Sequence, residues 1–126
     1  MTMRHLRIAI FVAAVALAAA GPARAQDATA GAAVFASQCA ICHAVSEGRN
    51  MVGPSLFGLL GRPAAAIPGY RYSAAMRACG LAWDAATLDR YLTGPEAVVP
   101  HTTMTYGGLR DAQTRADLIA YLSTLH

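Results

Sequence analysis

Apolar residues follow a helical period in parts of this chain and no period in the stretches between them. The clearest case is the C-terminal region, where large apolar side chains recur at positions i, i+3, i+4 and i+7: Leu118, Tyr121, Leu122 and Leu125. Asp111 precedes this run at a position suited to an N-cap. The pattern predicts a final helix that begins just after Asp111.

Cap residues predict three more helices upstream. Thr29 is the expected cap of a first helix that runs to about Gln38. Asp84 is the expected cap of a second helix, which ends near Gly94, and a shorter helix is expected over residues 73–78. Because no strand alternation is present, the chain is predicted to be all-α, with four to five helices.

Two long segments, 47–72 and 100–109, are rich in glycine and proline and have neither helical nor strand periodicity. Loops of this length are unusual in a small domain. They nevertheless contain apolar side chains, and we expect a large flat cofactor to bury them: Met51, Val52, Leu56, Phe57, Leu59, Leu60, Ile67 and Tyr70. The loops therefore predict a domain folded around a ligand.

The N-terminus has the features of a secretory signal peptide. A basic start is followed by the uncharged apolar run 8–20, and Ala23-Arg24-Ala25 has the small-x-small pattern of a cleavage site. As a helix the apolar run spans only ~20 Å at 1.5 Å per residue, shorter than the ~30 Å hydrocarbon core of a bilayer. We expect residues 1–25 to be removed after export to the periplasm, leaving one domain over residues 26–126 that is not inserted in the membrane.

The net charge changes when this segment is excluded. The whole chain has a formal charge of +3, but residues 26–126 contain seven arginines, seven acidic residues and no lysine. The expected mature protein is therefore formally neutral. Its charge gives no indication of nucleic-acid or membrane-surface binding.

The residues Cys39-Ala40-Ile41-Cys42-His43 form the attachment motif of c-type haem. Each thiol adds to one vinyl group of the porphyrin, and the adjacent His43 supplies an axial ligand to the iron. A thioredoxin-like redox pair requires a strand–helix–strand context, and a zinc site requires a second pair of ligands. Neither is found in the sequence, where the one remaining cysteine is Cys79.

The second axial ligand has several candidates in the expected mature chain: His101, His126, Met51, Met76 and Met104. Met104 lies in a polar segment, 100–106, between two predicted helices, and this segment can return over the opposite face of the ring. His101 is a chemical competitor in the same segment. The residues alone favour Met104 only slightly.

The chain from about Gly31 to its end resembles the class I c-type cytochromes of the mitochondrial and alphaproteobacterial type. The resemblance rests on the haem motif and on ordered matches at 53–62, 68–72, Trp83, 91–92, 100–104 and 115–122. It implies the small class I cytochrome c fold around one covalent haem c, attached through Cys39 and Cys42.

The resemblance also implies roles for individual residues. Met104 would be the sixth iron ligand, Tyr91 would place its hydroxyl near the sulfur, and Thr102 would brace the ligand loop. The carbonyl of Pro54 would accept a hydrogen bond from Nδ1 of His43, which directs Nε2 to the iron.

Further implied contacts lie at the haem propionates and between the terminal helices. Arg62, Tyr72 and Trp83 resemble residues that surround the propionates. The contact between the first and last helices would involve Gly31, Phe35, Leu118 and Tyr121.

The chain departs from the pattern of many relatives at several positions. Met76 stands where many carry an asparagine, and the lysines around the exposed haem edge are missing, with Arg49, Arg110 and Arg115 as the nearest substitutes. Cys79 is left without a partner and is expected to be buried and inert, with a disulfide-linked dimer as the alternative.

The function implied is that of a monomeric one-electron carrier in the periplasm, not an enzyme. Its donor would be a cytochrome bc-type complex or a dehydrogenase. Its acceptor would be a terminal oxidase, a peroxidase or a photosynthetic reaction centre. Two alternatives are a dedicated subunit of an oxidoreductase complex and a haem sensor or peroxidase in which Met104 is displaceable.

Overall fold

The computed structural model describes residues 24–126, so most of the expected signal peptide (1–25) lies outside the described residues. Within residues 24–126 five helices follow one another: α1 Ala28–Gln38, α2 Ala74–Ala78, α3 Ala85–Thr93, α4 Pro95–Val98 and α5 Ala112–Leu122. Within the described part, the β-structure is a single isolated bridge between Pro63 and Ala82. The all-α prediction is confirmed.

The helix starts follow from side chains that accept backbone N–H groups. Asp84 accepts from the N–H of Thr87 at 2.7 Å, and Asp111 accepts from the N–H of Thr114 at 2.7 Å, as expected. Ser73 starts α2 in the same way.

The cap of α1 was predicted wrongly. Asp27 precedes the helix and accepts from the N–H groups of Thr29 and Ala30 at 2.9 and 3.2 Å, so Thr29 lies inside the first turn. A carboxylate two positions earlier reaches the free N–H groups and, unlike a hydroxyl, brings a negative charge to the positive end of the helix.

Helices α1 and α5 cross at close range. A Cβ atom added to Gly31 would lie 1.9 Å from the carbonyl oxygen of Asp117, so the approach requires glycine. The rings of Phe35 and Tyr121 pack with centroids 5.6 Å apart, and Leu118 is almost fully buried. The contact expected between the terminal helices is present.

A buried carboxylate fastens the start of α1 to α5. Asp117 is 4% exposed and accepts from the backbone N–H of Asp27 at 2.9 Å and from Gln113 Nε2 at 2.9 Å. Arg24 adds an ion pair at 2.8 Å. The hydrogen bond from the N–H of Asp27 is the main cause that lowers the pKa of Asp117, and the hydrogen bond from Gln113 lowers it further. The carboxylate therefore stays ionised in this position.

The rest of the core is formed by side chains from α3, α5 and the loops: Leu59, Trp83, Leu88, Tyr91, Leu92, Val99, Ile119 and Leu122. Two of the loop residues that the haem is expected to bury lie outside this core. Met51 and Val52 are 40% and 76% exposed in the polypeptide, in a tight turn where the N–H of Met51 donates to the carbonyl of Gly53. Among the described helices, none is long and apolar enough to cross a membrane.

Candidate functional site

A mostly apolar cavity lies between the end of α1 and the loop that follows α4. All ten residues predicted to bind the cofactor line this one cavity: Cys39, Cys42, His43, Pro54, Arg62, Tyr72, Trp83, Tyr91, Thr102 and Met104. They come from segments spread over residues 39–104. The structure therefore brings together all the residues that the family resemblance assigned to the haem.

The cysteine motif forms a turn directly after α1. Cys39 is the C-cap of that helix, and its carbonyl accepts from the N–H groups of Cys42 and His43 at 3.0 and 2.9 Å. Both thiols are free and half-buried. Burial is the main cause that raises the pKa of Cys39, and the neighbouring Cys42 raises it further. The turn presents two thiols and an imidazole to the same cavity.

His43 is held by the backbone of the following loop. Its Nδ1 lies 2.8 Å from the carbonyl oxygen of Pro54. A carbonyl can only accept, so Nδ1 donates and Nε2 is left with a free lone pair. Burial lowers the pKa of His43, and the hydrogen bond with Pro54 partly opposes this shift. The environment thus favours the neutral imidazole that binds metal.

Gly53 is a site residue that the sequence reasoning missed. A Cβ atom added there would lie 2.2 Å from Cε1 and 2.6 Å from Nδ1 of the His43 ring. The glycine lets the backbone lie directly against the imidazole, and its N–H donates to the carbonyl of Cys42 at 2.8 Å. Its place beside Pro54 in the loop that meets His43 was the signal that could have revealed it.

Met104 is held by side chains. The hydroxyl of Tyr91 donates to its Sδ at 3.5 Å and lies 3.3 Å from Oγ1 of Thr102. The same Oγ1 accepts from the N–H of Met104 at 3.3 Å. Burial raises the pKa of Tyr91, which keeps the phenol protonated as a donor. The contacts expected for Tyr91 and Thr102 are present.

The other candidates for the second axial ligand are placed less favourably. His101, His126 and Met51 are exposed, and none of them lines the cavity. Met76 does line it, but its sulfur faces the thiol of Cys79 at 4.0 Å. Because Met104 lines the cavity and its sulfur faces no thiol among the described residues, its position favours it over the other candidates as the second axial ligand.

Arg62 gives a further test of whether the cavity suits haem. Its two Nη atoms donate to the carbonyls of Phe57 and Ser55 at 2.8 and 3.1 Å, whereas its buried Nε has no partner among the described residues. Burial lowers its pKa, and an anion beside Nε would offset that desolvation. A haem propionate provides such an anion, and the residues present fit the group.

The two other residues expected near the propionates also line the cavity. Trp83 is 7% exposed and packs on Tyr91 with ring centroids 4.9 Å apart. The hydroxyl of Tyr72 accepts from the N–H of Ile67 at 3.2 Å. Both side chains thus face the same space as Arg62.

One expected surface residue is interior instead. Arg115 was named as a substitute for the missing surface lysines, but it is only 8% exposed. Its Nε donates to Asp89 at 2.8 Å, and Nη1 donates to the carbonyls of Leu109 and Arg110 at 2.9 and 2.8 Å. Arg115 therefore anchors the end of the Met104 loop to α3 and α5, and Arg49 and Arg110 remain as exposed cations.

The unpaired thiol does not line this cavity. Cys79 is half-buried at the end of α2, and its Sγ donates to the carbonyl of Met76 at 3.1 Å. The thiol is thus partly covered rather than fully buried, and its inertness stays a prediction.

Known proteins are similar in sequence to the part of the chain that contains this cavity. The model of the family "Cytochrome C oxidase, cbb3-type, subunit III" matches residues 26–122. Cytochrome c2 of Rhodomicrobium vannielii is 46% identical over 98% of this chain and 98% of its own length. Cytochrome c2 of Blastochloris viridis is 42% identical over 95% of this chain and 92% of its own.

A solved structure is also similar to this chain. Cytochrome cH from Methylobacterium extorquens superposes with a TM-score of 0.73 at 41% identity, covering 78% of this chain and 98% of its own. Similarity in sequence and in fold thus extends over the domain that contains the cavity. The chain belongs to the class I c-type cytochromes, whose cofactor is covalent haem c.

Proposed function

We propose that this cytochrome is a monohaem one-electron carrier in which Cys39 and Cys42 attach the haem and His43 and Met104 are its axial ligands. When bound, the haem supplies an iron that alternates between the ferric and ferrous states. The observation that carries the proposal is the convergence of all ten expected residues on one cavity.

The arrangement of the two ligands supports a carrier rather than a catalyst. His43 is fixed by Pro54 on one side, and Met104 is fixed by Tyr91 and Thr102 on the other. If His43 and Met104 both bind the iron, a small substrate would have no free coordination site. A thioether ligand also raises the reduction potential by favouring the ferrous state.

We further propose that the chain is exported and cleaved after Ala25. Cleavage would remove Arg24 and its ion pair with Asp117. The N–H of Asp27 and Gln113 would remain to hold that carboxylate, so the junction of α1 and α5 does not depend on the removed residue. Residues 26–126 would then act as a monomer in the periplasm.

The proposal also includes the proteins that would give electrons to this carrier and take them from it. A cytochrome bc-type complex or a dehydrogenase would reduce the protein. A terminal oxidase, a peroxidase or a photosynthetic reaction centre would oxidise it. Encounters of this kind are weak and short-lived, because a carrier must leave each partner after every electron.

The match to the oxidase-subunit family model favours a second candidate function. In that case the domain would transfer electrons while docked permanently in an oxidoreductase complex. Purification of the tagged protein from its source membranes separates the two functions. A stoichiometric partner that survives high salt would indicate a subunit, and a protein recovered alone would indicate a mobile carrier.

Haem attachment is tested by expressing the chain with a c-type maturation system and extracting it with acidified acetone. The wild-type polypeptide should retain its haem. Cys42→Ser should lose one thioether bond or fail to mature, whereas Cys79→Ser, the same change outside the cavity, should mature normally. Full two-bond attachment in Cys42→Ser, or haem extracted from the wild type, would contradict the proposal.

A further inference from the structure

One residue close to Met104 in the chain has a strained backbone. The φ angle of His101 is 65°, in the left-handed region that residues with a Cβ atom rarely adopt. Among the described residues, Ala65 is the only other non-glycine residue in this region, and it lies outside the segment that carries Met104. A left-handed residue of this kind costs free energy and persists only where its surroundings hold it. The neighbours of His101 must therefore supply a restraint.

The strain belongs to a tight turn over residues 99–102. The N–H of Thr102 donates to the carbonyl of Val99 at 3.1 Å, with Pro100 and His101 at the two central positions. Proline followed by a residue with positive φ is typical of a type II turn, which favours glycine at the second central position. A Cβ atom at that position is crowded by its own backbone. The turn therefore needs a further interaction to keep histidine in this conformation.

The carboxylate of Glu96 provides that interaction. Its Oε1 accepts from the N–H of His101 at 2.9 Å. Glu96 lies in α4, a short helix that is flanked by the almost fully buried residues Pro95 and Val99 and so has a fixed position. The imidazole of His101 is exposed and forms no hydrogen bond with the described residues. The restraint thus comes from Glu96 and not from the histidine side chain.

The turn leads directly to the residues that hold the methionine sulfur. Thr102 follows His101 in the chain, and its Oγ1 accepts from the N–H of Met104 at 3.3 Å. The same Oγ1 lies 3.3 Å from the hydroxyl of Tyr91, which donates to the sulfur. A change in the backbone of His101 would therefore displace a residue that contacts both the ligand and its hydrogen-bond donor.

We infer that Glu96 is a positioning residue for Met104, because its carboxylate holds His101 in the left-handed conformation and so fixes the place of Thr102. Neither Glu96 nor His101 lines the haem cavity. The inference rests on the proposed ligation by Met104 and adds a residue outside the cavity on which the strength of that ligation depends. Two contributions oppose each other in the turn: the carboxylate favours it, and the Cβ atom of His101 disfavours it.

The test measures the affinity of the ferric holoprotein for imidazole, which competes with Met104 for the iron. Glu96→Ala should bind imidazole about five-fold more tightly, because the turn loses its acceptor. Glu96→Gln keeps an oxygen that can accept from the same N–H, and its affinity should stay within about two-fold of the wild type. Glu47→Ala removes another exposed glutamate, which has no hydrogen bond within the described residues, and should also stay within about two-fold.

Substitutions at His101 separate the backbone strain from the side chain. His101→Gly removes the Cβ atom and should bind imidazole about five-fold less tightly, since glycine adopts positive φ readily. His101→Ala is the matched control, because it keeps the Cβ atom and loses only the ring, and it should stay within about two-fold of the wild type. In Glu96→Ala/His101→Gly the two effects should cancel to within about two-fold.

Several results would overturn the inference. One is an unchanged affinity in Glu96→Ala, even if that variant unfolds at a lower denaturant concentration, since the glutamate would then be merely structural. Another is an equal gain in Glu47→Ala, which would place the effect in net charge. A third is a His101→Gly protein that binds imidazole no less tightly than His101→Ala. A wild type without the far-red band of methionine ligation would instead overturn the proposed ligation by Met104.

Discussion

The two expected iron ligands are held in opposite ways. His43 is fixed by main chain, through the carbonyl of Pro54 at 2.8 Å and the backbone of Gly53 against its ring. Met104 is fixed by side chains, through the hydroxyls of Tyr91 and Thr102. A ligand held by main chain tolerates side-chain changes around it unless they add bulk. A ligand held by hydroxyls can be weakened one hydrogen bond at a time.

The largest effect is expected from Gly53→Ala. The new methyl group would lie 2.2 Å from Cε1 of His43, so either the ring or the loop must move. Overpacking of this kind costs about 3 kcal/mol of unfolding free energy, and the yield of holoprotein should fall with it. Denaturant unfolding and haem content measure both effects.

Gly107→Ala is the matched control on the Met104 side. A Cβ atom at Gly107 meets nothing within 4 Å, so this variant should keep its haem and its stability. If both variants behave alike, the close backbone approach at Gly53 is not what holds the imidazole.

The next largest effect is expected from Arg115→Met, which removes the anchor at the far end of the Met104 loop. The variant leaves two carbonyls and Asp89 without their donor. Because hydrogen bonds to charged groups are stronger than neutral ones, unfolding free energy should fall by about 2 kcal/mol. Among the described residues, the exposed side chain of Arg90 forms a hydrogen bond only with Thr87, at 3.3 Å, and Arg90→Met should stay within about 0.5 kcal/mol of wild type. Equal losses in the two variants would contradict the anchoring role.

Tyr91→Phe should loosen Met104 without disturbing His43. The variant loses a hydroxyl that contacts both the sulfur and Thr102, a loss of about 1 kcal/mol. The ferric holoprotein should therefore bind imidazole in place of Met104 about five-fold more tightly. Tyr106→Phe removes a hydroxyl that reaches only Gln38 and should leave this affinity unchanged. An unaltered affinity in Tyr91→Phe would show that the hydroxyl does not restrain the ligand.

The smallest effect is expected from Pro54→Ala. Alanine keeps the backbone carbonyl that His43 uses, so the change acts mainly by giving the unfolded chain more freedom, about 0.5 kcal/mol. The Nδ1–H proton of His43 should keep its protection from solvent exchange, as measured by NMR. Rapid exchange in the variant would mean that the proline ring, and not its carbonyl, fixes the imidazole.

Sequence patterns predicted the helices well where caps and apolar spacing coincide. Asp84 and Asp111 each precede an apolar run and were placed correctly as caps. The alanine-rich α1 has little apolar spacing to fix its start, and its cap was predicted at Thr29, two residues after the observed cap Asp27. Helix α4 was missed because four residues beginning at Pro95 are too few to display a helical period.

The site was predictable to the extent that its chemistry depends on residue type. The spacing of the cysteines and His43 identifies these three residues, and the family resemblance was needed to choose Met104, whereas Gly53 acts through the absence of a side chain. In the loops, the burial of Met51 and Val52 was expected from a bound haem and stays a prediction, and in the polypeptide alone both are exposed. Without a repeating geometry, residue type does not tell which loop side chains face inward.

The axial ligand opposite His43 is tested most directly by the absorption spectrum of the oxidised holoprotein. Ligation by a methionine sulfur gives a weak far-red band, and two methionines, Met104 and Met76, line the cavity. The band should be lost in Met104→Ala, with a lower reduction potential, and should persist in Met76→Ala. A band that survives in Met104→Ala, or disappears in Met76→Ala, would contradict the assignment of Met104.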